Sequence, residues 1–200
     1  MRPSIFIFII LFSLNTTLAQ EQKSSVPQPL TEEVIVNQVN DLVGKQYSMD
    51  AKQLEVVLLN LKAKSEKIGS EKGILGSGRF LMSVFDKQGK DKEVVELGNQ
   101  LIKIVQNKKE DPKGIITDIY QQTAQALMYL GLDDAGKKDL EMSITFAKTI
   151  ENPDKKYFRL SQNYIALHTY YNHKTDVSSD KKYRDSTIYY INRSLESAKK

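Results

Sequence analysis

From Thr31 onward, apolar residues recur at intervals of three and four, and strand-like alternation is scarce. Thr31-Glu32-Glu33 opens a first helix that runs to about Val43, with Val34, Val36, Val39, Leu42 and Val43 apolar. Gly44 and Tyr47-Ser48 break it. Asp50 is placed to cap a second helix, in which Leu54, Val57, Leu58 and Leu61 repeat with helical period until Ile68-Gly69. A third helix is expected from about Ser70 to Gln88, stopped by Gly89. A fourth follows from about Asp91 to Gln106, burying Val94, Val95, Leu97, Leu101, Ile102 and Val105. The stretch "NKKEDPKG" separates it from a fifth, about Ile115 to Leu130, which ends at Gly131. The sixth covers about Asp134 to Ile150 and is closed by "ENPD". The seventh runs from Lys155 to Tyr171, a polar loop "NHKTDVSSDKK" follows, and an eighth covers Asp185 to Lys199. Short connections between amphipathic helices predict an all-α fold of eight helices in four antiparallel pairs.

Equivalent points in successive pairs lie about 37 to 42 residues apart, which is the period of a helical repeat. Tyr120 and Tyr157 hold one aromatic position, Ala124 and Ser161 a small one, and Phe85, Leu127 and Tyr164 a second large one. Gly89 and Gly131 hold the turn, Val94, Gly136 and Thr187 an early position of the second helix, and Leu101, Ser143 and Ser194 a later one. This set resembles the tetratricopeptide repeat family over roughly residues 70–200. The resemblance implies a right-handed solenoid in which small residues let paired helices approach and aromatics fill the space between pairs. Val94 and Leu101 are larger than that pattern has, His168 stands at the turn glycine, and the first pair, residues 31–68, matches least. A plain helical bundle is the alternative.

The amino terminus reads differently. Arg2 precedes the apolar run Ile5 to Phe12, and Thr17 and Ala19 supply the small residues of a secretory cleavage site after Ala19. The run is about half of the roughly 20 residues a spanning helix needs, which favours a signal peptide over a membrane anchor. Residues 1–19 are thus expected to be a signal peptide and 20–30, "QEQKSSVPQPL", a flexible leader. Residues 31–200 form the repeat domain, in an exported and periplasmic setting. The formal charge of +4 falls to +3 without Arg2, and basic and acidic residues interleave, which argues against a nucleic-acid partner. The absence of cysteine excludes disulfides, thiolate metal sites and thiol chemistry.

Several stretches invite chemical readings. "GILGSG" at 73–78 lacks the Lys-Ser/Thr of a phosphate loop and a preceding strand, so close helix packing or a loose helix start explains it better. His168 and His173 are five apart, a poor offset for sharing a metal, and Asp176 and Asp180 fall in the expected polar loop. The acidic pairs Glu32-Glu33, Asp133-Asp134 and Asp139 with Glu141 are read as turn or helix-start acids favoured by the helix dipole. No nucleophile–base constellation stands out, so neither an enzyme nor a metal or other cofactor is expected.

The resemblance implies a concave face lined by the first helix of each pair. By position, that face takes Arg79, Ser83, Asp86, Gln121, Gln125, Tyr129, Phe158, Arg159 and Gln162, a mixture suited to an extended peptide backbone or a carboxylate. The expected function is non-catalytic peptide or protein binding through Arg79, Ser83, Gln121, Gln125, Tyr129, Arg159 and Gln162. The organisation is also similar to the exported input regions of membrane-anchored signalling or transcription regulators, which reach the membrane through a downstream segment. The eighth helix lacks a polar outer face. Ile188, Tyr190, Ile191 and Leu195 there suggest either a continuing array or docking on a partner or a second copy. The second reading is therefore a periplasmic scaffold that self-associates as a homodimer through this helix.

Overall fold

The computed structural model describes residues 30–178 and 180–200, so the signal-peptide and leader expectations lie outside the described residues, Leu30 excepted. Thr31–Lys200 forms one compact unit. Among the described residues it contains eight helices and no strand: α1 Glu32–Lys45, α2 Ala51–Lys67, α3 Glu71–Lys87, α4 Asp91–Val105, α5 Ile115–Tyr129, α6 Asp133–Ala147, α7 Pro153–Val177 and α8 Lys181–Ala198.

Local chemistry sets most ends. Thr31, Asp50, Ser70, Asn152 and Asp180 each accept a backbone N–H of the helix they open through a side-chain oxygen. Gly69, Gly89 and Gly131 follow α2, α3 and α5 with φ of 67°, 69° and 76°, a left-handed conformation that ends a helix at little steric cost when the residue lacks a Cβ. The segment "NKKEDPKG" uses a different device. Asp111, buried in the loop, accepts the N–H groups of Ile115 and Thr117 at 2.8 and 2.7 Å and the Thr117 hydroxyl at 2.8 Å, so it caps α5 from four residues upstream.

Every helix packs on its chain neighbours, and α1 also touches α3, α3 touches α5, and α5 touches α7. The even-numbered helices have no such contacts with one another. Odd helices crowded on one wall and even helices splayed on the other give stacked helix pairs with the odd-helix wall on the inside of the curve. This is a helical-repeat architecture, and it replaces the plain bundle as the description of the fold. The core follows the stack in three stretches. Leu58, Leu81, Met82, Leu101 and Ile119 centre the first, Leu140, Ile150, Tyr164 and Leu167 the second, and Ile35, Val39 and Leu61 a small third one under α1.

The large side chain at Leu101 has a compensation across its helix pair. The forty-two-residue offset that equates Phe85 with Leu127 also places Gly78 at the position of Tyr120, and Leu101 at that of Ser143. A Cβ on Gly78 would stand 2.9 Å from Leu101 Cδ2, so the bulk has moved from one helix to the other. "GILGSG" thus lies within the first two and a half turns of α3, and its Gly78 serves close packing. In the next pair the sizes are reversed: Tyr120 stacks on Phe146 with centroids 5.7 Å apart, and Gly136 lets α6 approach the α5 backbone.

Two expectations about the carboxy-terminal region are overturned. α7 starts at Pro153 rather than Lys155, with Asn152 as cap, and it continues nine residues past His168 to Val177. The expected loop shrinks to the three residues between α7 and α8. Without a glycine at 168 nothing turns the chain, and the polar extension finds partners. Tyr170 donates to Asp134 at 2.6 Å, Lys174 lies 3.9 Å from Asp133 and 3.7 Å from Asp134, and Tyr171 stacks on Tyr190 at 5.3 Å. α8 correspondingly starts at Lys181 rather than Asp185. In α1, the most deeply buried residue is Ile35 rather than any of the expected valines, and in α2 Val57 sits at the surface.

Candidate functional site on the inner wall

Three odd helices bring the sequence-nominated residues together. Arg79 and Ser83 come from α3, Gln121, Gln125 and Tyr129 from α5, and Arg159 and Gln162 from α7. They line two adjoining clefts. One, of about 240 Å³, is polar and is walled by Arg79, Ser83, Gln122, Gln125, Arg159 and Gln162, with Asp118 at its base and Asp86 at its rim. The other, of about 470 Å³, is largely apolar and is lined by Met128, Tyr129, Ile165 and Ala166. Gln121, Gln125 and Gln162 belong to both and join them. Phe158 is not a wall of either cleft, but its exposed ring lies under the Arg159 guanidinium at 5.4 Å.

Asp118 organises the polar end, and its role was not anticipated from the sequence. It is 3% exposed, and its Oδ2 accepts from Arg79 Nη1 at 2.9 Å. Arg159 Nε approaches its Oδ1 to 2.7 Å, but this is a charge contact without a directed hydrogen bond. Arg159 Nη1 instead donates to Gln162 Oε1 at 2.8 Å. A single buried carboxylate therefore holds two guanidinium groups from helices on either side of α5, and this fixes their orientation toward the cleft. Its signal was present in the sequence: Asp118 lies three, seven and eleven residues before Gln121, Gln125 and Tyr129, on the same stripe of α5.

The cleft balances two arginines against Asp118 and Asp86, so it carries little net charge. Burial, and then the neighbouring Asp91 carboxylate, raise the Asp86 carboxyl above its ordinary range. Hydrogen-bonding capacity is what remains open. Among the described residues the Gln121 amide has no internal partner, and Arg79 Nε is buried and unpaired. Gln125 reaches only Tyr129, at 3.4 Å. Ser83 donates to Gln122 Oε1 at 3.0 Å and has no base beside it among the described residues.

The other candidate residues lie elsewhere. His168 Nδ1 is 3.2 Å from the Thr187 carbonyl on α8, and His173 Nδ1 is 3.9 Å from Asp133. Asp176 is helical, in the extension of α7, and Asp180 caps α8. Asp133 and Asp134 do open α6, but Asp139 is its seventh residue and not a helix-start acid. Burial raises the Asp139 carboxyl to about 6.

The proposed self-association surface is also corrected. Ile188 and Leu195 are each 53% exposed, but Tyr190 stacks between Tyr164 and Tyr171, and Ile191 is half-buried, so neither belongs to the outward face. Among the described residues no helix is long and apolar enough to cross a membrane.

Fold and inner wall together define an all-α protein of stacked helix pairs with a mixed polar and apolar cleft on the inside of the curve. No protein-family model, curated protein or solved structure matches the chain.

Proposed function

We propose that this protein is a non-catalytic interaction module, similar in organisation to tetratricopeptide arrays, that holds an extended peptide segment along its inner wall. The observation that carries the reading is the junction of the two clefts, where three glutamine amides stand between a paired-arginine end and an apolar end. Amides both donate and accept, so they match the alternating N–H and C=O groups of an extended backbone. The apolar cleft has room for an anchoring side chain between Met128, Tyr129 and Ile165. The arginines, held by Asp118, present their remaining N–H donors at the other end. Export accords with the amino-terminal pattern of Arg2, the apolar run and Ala19, while service as the input region of a regulator rests on the resemblance to exported tetratricopeptide arrays.

Selection from a phage-displayed random peptide library tests this. Enriched peptides should bind the protein, and Gln125→Ala and Tyr129→Ala should each weaken them by about tenfold while helicity is unchanged. Both side chains are exposed and carry no structural contact of weight, unlike Arg159, whose loss would leave Asp118 short of a partner. A library yielding no binder, or binders indifferent to both changes, would sink the proposal.

A further inference from the structure

The outward face of α8 carries its own pattern. Lys181, Asp185, Ile188, Asn192, Leu195 and Lys199 recur at alternating steps of four and three, and all six are exposed. At 3.6 residues per turn they fall within roughly 40° of one line. The side chains that face α7 and the core, Tyr183, Thr187, Tyr190, Ser194 and Ser197, occupy the opposite side of the helix. Among the described residues, Lys181, Asp185 and Lys199 have no ion partner, and the Asn192 amide makes no hydrogen bond. Four-three spacing is that of a seam between two helices.

We propose that α8 is a homodimer contact, in which the helices of two copies pack antiparallel about a two-fold axis beside Asn192. The stripe matches itself in that orientation and in no other simple one. Asp185 and Lys199 stand seven residues before and after Asn192, about 10.5 Å each way at the helical rise. Reversal therefore sets each Asp185 level with Lys199 of the other copy, twice over. Ile188 precedes Asn192 by four residues and Leu195 follows by three, so each isoleucine meets a leucine within about 1.5 Å of level. The two Asn192 amides face one another, and an amide can satisfy its own kind as donor and acceptor. A parallel pairing would oppose Asp185 to Asp185 and Lys199 to Lys199, which is repulsive. Head-to-tail stacking of α8 onto the α1–α2 end would leave the self-match unused. Tyr189, 57% exposed on the flank of the stripe, adds area at the rim.

Sedimentation velocity of the full chain over a wide concentration range tests the contact. A discrete monomer–dimer equilibrium is expected, and Leu195→Glu should raise its dissociation constant by at least about tenfold with unchanged circular dichroism. The charge exchange is the sharper test, because exposed substitutions at 185 and 199 leave the tyrosine seam with α7 untouched. Asp185→Lys and Lys199→Asp should each weaken the dimer several-fold, and the double variant should recover most of the loss. A protein monomeric at every concentration, open-ended growth, or a double variant as weak as the single ones overturns the proposal. Since α8 contributes nothing to the inner-wall clefts, peptide binding and dimerisation can fail independently.

Discussion

Asp139 shows how one carboxylate can weigh against the fold. It is half-buried in the middle of α6, and no hydrogen bond reaches it among the described residues. Burial raises its pKa from 3.8 to about 6. The folded chain therefore holds the proton more tightly than the unfolded one, so stability falls as pH rises from about 4 to about 6 and stays lower above. Asp139→Asn should stabilise the protein by about 1 kcal/mol at pH 7.5, after allowance for solvent screening, and the gain should vanish near pH 4. Urea unfolding at the two pH values checks the sign. Asp111 works the other way: three hydrogen bonds converge on it where α5 begins. Asp111→Ala should cost about 2–3 kcal/mol in the same assay, since it leaves buried donors unpaired.

Among the helices, legibility followed the kind of signal. α2 through α6 could be read from the chain because their apolar period is strong and glycines close three of the turns. The carboxy-terminal half of α7 could not, because "NHKTDV" has the composition of a loop. Its helicity depends on Asp133, Asp134, Tyr183 and Tyr190, which other helices supply. Tertiary partners outweighed local composition there. Asp118 was overlooked for a related reason: its acid was visible, but its burial depends on Arg79 and Arg159, thirty-nine and forty-one residues away. The seven concave residues could be nominated because a repeat makes position predict facing. The clearest element-scale prediction is at Gly136, where a Cβ would stand 2.7 Å from the Ala124 carbonyl oxygen. Gly136→Ala should separate α5 from α6 and lower stability by about 1–3 kcal/mol, despite the better helix propensity of alanine. A thermal melt that rose instead would show that the backbone gives way easily.

Across the whole molecule, stability should grade along the stack, because each pair is held by its neighbours. α1 buries only Ile35 and Val39 fully and is tied to α3 by Glu32, which accepts from Ser70 at 2.9 Å and pairs with Lys72 at 3.0 Å. Hydrogen exchange measured by mass spectrometry should therefore open α1 well before α5, whose buried side chains span both main core stretches. Equal protection of the two would mean that the array unfolds as a single cooperative block.

That helices of like parity touch on the odd-helix wall alone also has a mechanical meaning. Where the even helices meet only their odd neighbours and not one another, the outer wall has more room to fan than the inner one, as the slats of a roll-top do about their canvas. The Asp118 clamp fastens α3 to α7 across α5 on the inner wall, so it works as a stop on that fanning. A peptide lodged beside it would bridge α3, α5 and α7 as Asp118 does, and so would hold the inner wall to one curvature.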